Sequence, residues 1–210
     1  MSDHTIDIKD IPVYFIASPK KNTEGNYTIL RSKGFTNIIR VPGVFGGKKV
    51  TNVAKAHIKA LEKALSECDG PFIILEDDVR IFSAKHKFVF PENTDAVYLG
   101  LSTWGLKNGK GHVSAISAEP VSNNLYRLYN MLAAHAILYI NHDYARFLAT
   151  RIPVFIDMGT NQDKMRAETL KYWNVYALET PVFYQSGPYE QHTRFRLSKK
   201  AIVPIAEFYK

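Results

Sequence analysis

Four consecutive apolar residues, Phe72-Ile73-Ile74-Leu75, stand between a helix signal and three acids, Glu76-Asp77-Asp78, and this junction constrains the fold more than any other stretch. A strand that is apolar on both faces has to be covered from both sides, as strands are in a mostly parallel sheet flanked by helices. The helix signal before it runs from Thr51 to Glu67. Ala54, Ile58, Leu61, Leu65 and Cys68 fall on one stripe at helical spacing; Thr51 can cap the start, and Gly70 stands where a helix C-terminal glycine belongs. Further strands are expected at Ile11 to Ala17, Phe35 to Val41, Val97 to Leu101, Ala136 to Ile140 and Val175 to Leu178. Helices are expected from about His142 to Thr150 and from Gln162 to Tyr172. This alternation predicts an α/β fold, a single domain over residues 1–210 with an open, mostly parallel sheet. The segment from Ser102 to Ser122, rich in glycine, serine and lysine and holding Trp104, reads as a long loop, either substrate-facing or a disordered insert.

A chain of 210 residues suits one large domain better than two small ones. Its single cysteine, Cys68, cannot form an internal disulfide and suits a reducing compartment. The stretch from Met1 to Asp10 lacks the basic-then-apolar order of a signal peptide, and runs such as Ala133 to Ile140 are too short to span a bilayer. The expectation is a soluble, cytoplasmic protein without a transmembrane segment. A formal net charge of +7 leaves room for an acidic partner, whether a nucleotide-sugar, a phosphorylated glycolipid or nucleic acid. The doublets Lys20-Lys21, Lys48-Lys49 and Lys199-Lys200 are scattered, however, and each taken singly reads as solvated surface.

Glu76, Asp77 and Asp78 sit at the carboxyl end of the buried strand, where open α/β sheets place their ligand sites. Alternation along an extended chain points Glu76 and Asp78 one way and Asp77 the other. Two carboxylates on one side can hold Mg²⁺ or Mn²⁺, which prefer oxygen ligands, and such an ion attracts a diphosphate. The same triplet also fits a plain strand-to-turn junction carrying solvated acids. A phosphoreceiver domain is excluded by placement: its acidic pair follows the first strand, and its next comparable strand ends in aspartate, whereas Val97 to Leu101 ends in Ser102.

Several blocks follow in a fixed order. Ala56-His57 lies in the helix run, and Leu75-Glu76-Asp77-Asp78-Val79 closes the strand. Asp95-Ala96-Val97-Tyr98-Leu99-Gly100 comes next, then a small-residue approach to a strand and helix over Ala133 to Ala149. Pro153-Val154-Phe155-Ile156-Asp157 and Pro181-Val182-Phe183-Tyr184-Gln185 end the series. This order resembles glycosyltransferase family 25, the lipooligosaccharide and procollagen galactosyltransferase group, over roughly Val53 to Gln185. Two departures stand out: Ala56 replaces the family's serine, and Ser18-Pro19-Lys20-Lys21 replaces its serine and paired arginines.

The resemblance implies the GT-A fold and a nucleoside diphosphate sugar donor held through Mn²⁺ or Mg²⁺. It assigns Glu76 and Asp78 to the metal, with His192 as a further ligand from the C-terminal region. Asp77 would hold the ribose or brace the loop, and Ser18, Lys20, His57 and Gln185 would lie against the donor. On its own, His57 reads as a packed core histidine. Inverting transfer needs a general base, for which Asp157, after an apolar strand-like segment, is the first candidate and Asp163 the second. Asp157 is equally placed to cap the following helix. Trp104 and Tyr189 could stack on a sugar or base. The acceptor is a saccharide or a hydroxymethylated base in DNA; the latter requires basic side chains beside the acids and affinity that falls with salt. A non-catalytic nucleotide- or glycan-binding module on the same fold is the alternative. A two-metal nuclease is disfavoured because a second acid cluster is missing from the sequence. No obligate protein partner is implied.

Overall fold

The computed structural model describes residues 3–18, 23–107, 111–113, 116–122 and 124–186. In chain order, the first elements are β1 (Asp3–Asp7), β2 (Val13–Ala17), α1 (Glu24–Ser32), β3 (Ile38–Pro42), α2 (Lys49–Glu67) and β4 (Phe72–Glu76). Next come β5 (Val79–Ile81), β6 (Lys87–Pro91), β7 (Ala96–Tyr98), β8 (Gly105–Lys107), β9 (Gly111–Val113) and β10 (Ser117–Ser122). The chain continues through β11 (Leu125–Asn130), β12 (Ala136–Tyr139), α3 (His142–Asp157), α4 (Gln162–Thr169), β13 (Val175–Leu178) and β14 (Phe183–Gln185).

Eight of the described strands join in one sheet, in the order β10-β11-β13-β7-β12-β4-β2-β3. The pairs β2–β3, β2–β4 and β7–β13 are parallel. β12 runs against both β4 and β7, and β11 against both β13 and β10. Six strands therefore point the same way and two are reversed, an α/β sheet that is mostly parallel in direction.

The apolar run of β4 shows why the sheet needs two covers. Phe72 and Ile74 enter one apolar layer, with Tyr14, Tyr98 and Tyr139 from neighbouring strands and Ala60, Leu61 and Leu148 from α2 and α3. Ile73 and Leu75 enter the other, with Phe15, Val97 and Leu138, and with Ile6, Leu30, Phe88 and Phe183 from the elements opposite. The four apolar side chains of β4, Phe72 to Leu75, are fully buried, and each contributes roughly 1.5–3 kcal/mol. Alanines 54, 60 and 64 on α2 are fully buried and let that helix lie close to the sheet and α3.

Three expectations are corrected. The Ser102 to Ser122 segment is not a structureless loop: it holds the β8–β9 hairpin and the edge strand β10. The Pro153 to Ile156 stretch is not strand-like but continues α3, because Ile152, Phe155 and Ile156 follow Leu148 at helical spacing onto the core. Helix α2 starts at Lys49, with Lys48 rather than Thr51 at its N-cap and no side-chain cap hydrogen bond. Among the described residues, no helix is long and apolar enough to cross a membrane.

Candidate functional site

A cleft of about 930 Å³ opens at one end of the sheet. Ile16 and Ser18 reach it from the carboxyl end of β2, and Gly43, Val44, Phe45 and Gly47 from that of β3. Glu76, Asp77 and Asp78 reach it from β4. Reversed β12 brings in its approach, Leu132 to His135; α2 supplies Lys49, Asn52 and His57, and the first turn of α4 supplies Asp163 and Lys164. The carboxyl end of a largely parallel sheet is where ligands bind in such folds.

The three acids are held differently. Asp77 is buried; its Oδ2 accepts the Ser18 backbone N–H at 3.0 Å, and its carbonyl accepts the Asn26 amide. It holds Ser18, at the end of β2, and Asn26 of α1. Glu76 ends β4, and its Oε1 lies 2.8 Å from His57 Nε2. Its Oε2 accepts Gln185 Nε2 at 3.2 Å, and Asp78 Oδ1 accepts that nitrogen at 3.4 Å. The two carboxylates thus converge on one point. The β5–β14 ribbon sets this geometry by pairing Gln185 with Val79, directly after Asp78. Ser186 ties the same place, donating from both N and Oγ to the Asp78 carbonyl at 2.9 and 3.0 Å.

Beneath the acids lies a buried polar layer. His57 is 1% exposed. Burial, then the Arg166 charge, push its pKa down to about 3 against the pull of Asp163, so the ring is neutral. Nε2–H therefore donates to Glu76, and Nδ1 is left as a buried lone pair without a hydrogen-bond partner. Asp163 is pushed up to about 6, first by burial and then by Glu76, against His57 and Arg166. It is ionised at neutral pH yet more basic than an ordinary carboxylate, as a general base requires. Arg166 is fully buried one turn further along α4 and donates to the Tyr139 hydroxyl at 2.7 Å.

Of the residues expected at a site, Ser18, His57, Glu76, Asp77, Asp78, Asp163 and Gln185 all line this cleft. Trp104 joins them, its carbonyl anchored by Leu132 N–H at 2.8 Å. Asp157 does not line it. It is the exposed last residue of α3, carried there because residues 153–157 are helical. Nor does Asp157 cap α4; Asn161 does, its side chain accepting from Asp163 N–H and Lys164 N–H. Lys20, Tyr189 and His192 lie outside the described residues.

Three lining residues, His135, Asn161 and Lys164, have no sequence signal of their own, and Lys49 has only that of a scattered doublet. The two lysines are the cleft's described cations and come from separate helices, α2 and α4. Periodicity detects a helix but not which of its polar residues faces a neighbour's loop. Mn²⁺ or Mg²⁺ fits the donor chemistry here, since two carboxylate oxygens meet at one amide nitrogen. Among the described residues, no group of three or more His, Cys, Asp or Glu forms a metal shell.

No family model matches the chain, and no characterised protein matches its sequence. Among solved structures, A197 from STIV is similar to 82% of this chain over 83% of its own, at 16% identity and a TM-score of 0.47. The nucleoside-diphosphate-sugar pyrophosphorylase from Vibrio cholerae RC9 is similar over 81% of this chain and 73% of its own, at 11% identity and a TM-score of 0.43. The CTP:phosphocholine cytidylyltransferase from Streptococcus pneumoniae is similar over 84% and 72%, at 12% identity and a TM-score of 0.42.

Proposed function

We propose that the chain is a glycosyltransferase that takes a sugar from a nucleoside diphosphate donor, held through Mn²⁺ or Mg²⁺, and passes it to a hydroxyl acceptor, a saccharide or a hydroxymethylated DNA base. The observation that carries this reading is the convergence of Glu76 Oε2 and Asp78 Oδ1 on one point of a cleft at the carboxyl end of the sheet. A divalent ion bound there supplies stabilisation of the charge that develops on the departing nucleoside diphosphate. Glu76 and Asp78 are its protein ligands. Asp77 fixes Ser18 at the edge of the cleft, beside the donor. Lys49 and Lys164 line the cleft and add positive charge for the phosphates. Phe45 and Trp104 add apolar surface suited to the face of a base or sugar.

Asp163 replaces Asp157 as the general base, because it lines the cleft and its carboxylate is unusually basic. The acceptor oxygen forms a bond to the anomeric carbon as the bond from that carbon to the phosphate oxygen breaks. The hydroxyl proton passes to the Asp163 carboxylate, and the nucleoside diphosphate leaves with the bonding pair. The test is a melting-temperature series with nucleoside diphosphates, with and without Mn²⁺. One nucleotide should raise Tm only when metal is present, since a ligand of the native state stabilises by mass action. Asp78→Ala should abolish that rise. A panel in which no nucleotide shifts Tm under any metal condition overturns the donor site and favours a binding module for another ligand.

A further inference from the structure

We propose that Gln185 is a metal-responsive clamp. Its amide NH₂ group holds Glu76 and Asp78 together in the metal-free protein, and its Oε1 turns to the cation when the ion binds. This rests on the reading of Glu76 and Asp78 as cation ligands and assigns a further residue to their chemistry.

An amide NH₂ has two hydrogens and can donate to two acceptors. Here both go to carboxylates, to Glu76 Oε2 at 3.2 Å and Asp78 Oδ1 at 3.4 Å. Both contacts are long for N–H···O bonds, so each is weak and readily exchanged. The nitrogen occupies the meeting point of two acidic groups, where a divalent ion would also be drawn, and its partly positive hydrogens cannot share that point with a cation. A half-turn of the terminal amide removes the conflict. It replaces two donors by a carbonyl oxygen, a good ligand for Mg²⁺ and Mn²⁺.

The backbone of Gln185 need not move for this. It is fixed in register against Val79, and Ser186 is bonded to the Asp78 carbonyl. Glu76 is independently fixed by His57. Only the amide of Gln185 must reorient. The turn of the chain at Asp77-Asp78 and the β14 register keep donor and carboxylates within reach in both arrangements.

The experiment uses the full chain in three forms: wild type, Gln185→Leu and Gln185→Glu. Mn²⁺ affinity is read from the EPR signal of the unbound ion. In ¹⁵N-labelled wild type, the Gln185 side-chain NH₂ resonance, assigned by its loss in Gln185→Glu, is followed on titration with Mg²⁺. Gln185→Leu is expected to bind Mn²⁺ at least 10-fold more weakly, within the 10–100-fold range for groups that support metal ligands. Gln185→Glu, which offers an oxygen without reorientation, should bind at least as tightly as wild type. In chelator it should melt lower, because a third carboxylate then stands where an amide donated to Glu76 and Asp78. The amide resonance should shift in step with Mg²⁺ saturation. Should Gln185→Leu fail to fold, the Gln185→Glu and resonance measurements decide alone. Wild-type affinity in Gln185→Leu, or an amide resonance that stays still while Mg²⁺ saturates the protein, overturns the clamp but leaves the metal site standing. A wild-type chain that binds neither ion overturns both.

Discussion

His135 reaches the cleft only because residue 100 has no side chain. A Cβ at Gly100 would lie 2.0 Å from His135 Nε2 and 2.5 Å from its Cδ2, closer than atoms can approach. His135 is buried, and its carbonyl accepts the Glu76 N–H at 2.9 Å, so its displacement would be felt at the metal-side carboxylate. Gly100→Ala should therefore cost about 1–3 kcal/mol, the usual range for overpacking, and weaken the metal-dependent nucleotide response. Adding His135→Ala to the same chain removes the clash and should recover part of the lost stability, giving a positive coupling in urea denaturation. Additive losses would mean that the ring finds another place without strain. Glu76 is constrained as closely, with one oxygen on neutral His57 and the other on Gln185. The acids were legible from sequence because they are adjacent. Gln185 Nε2 and Glu76 Oε2, however, meet across 109 positions of chain, and His135 needs a glycine 35 positions away, so neither relation leaves a local pattern.

The elements read most clearly were those whose burial forces a pattern. β4 is apolar at four successive positions because both its faces are covered, and α2 carries its stripe because one side lies on the sheet. The segments read least well were those where local chemistry and packing disagree. In 102–122, glycines and serines suggested a loop, yet backbone pairing makes a hairpin and an edge strand there. At the end of α3, the apolar run before Asp157 reads as strand-like, yet Phe155 and Ile156 pack on the core and keep it helical. Pro153 cannot donate the helical hydrogen bond to residue 149 and is tolerated because packing outweighs the cost. Pro153→Ala restores that donor, and the expected outcome is a higher Tm, by an amount smaller than the ~3 kcal/mol penalty of an interior proline, since the unfolded chain also gains freedom. Asp157 sits at the exposed end of the same helix. Asp157→Ala should leave the nucleotide-induced Tm shift and turnover at wild-type levels, whereas Asp163→Asn should abolish turnover. A large loss of turnover in Asp157→Ala would return the base to α3.

At the scale of the molecule, two opposed titrations under the cleft tie stability to pH. His57 is held neutral, its pKa pushed from 6.5 down to about 3 by burial first and by Arg166 second. The unfolded chain therefore binds one more proton than the native one between those values, and this residue makes stability rise with pH across that window. Asp163 is pushed from 3.8 up to about 6 by burial first and by Glu76 second. The native chain then holds the extra proton, so stability falls as pH rises through its window. Between pH 4 and 6 the two slopes cancel, and the wild type gains little from either. Removing one partner exposes the other. In chelator, the stability of Asp163→Asn minus that of wild type should increase as pH goes from 4 to 6, approaching ~1.4 kcal/mol per pH unit if His57 acts alone. For His57→Asn the same difference should decrease over that range. Each residue's own pKa moves when its neighbour is gone, so the signs carry the test. Urea denaturation at pH 4, 5 and 6 for the three proteins reads them directly. Differences that are flat with pH for both variants would mean that His57 and Asp163 titrate alike in the folded and unfolded chain. The buried polar layer would then be open to water, and Asp163 would lose the raised basicity on which its role as general base depends.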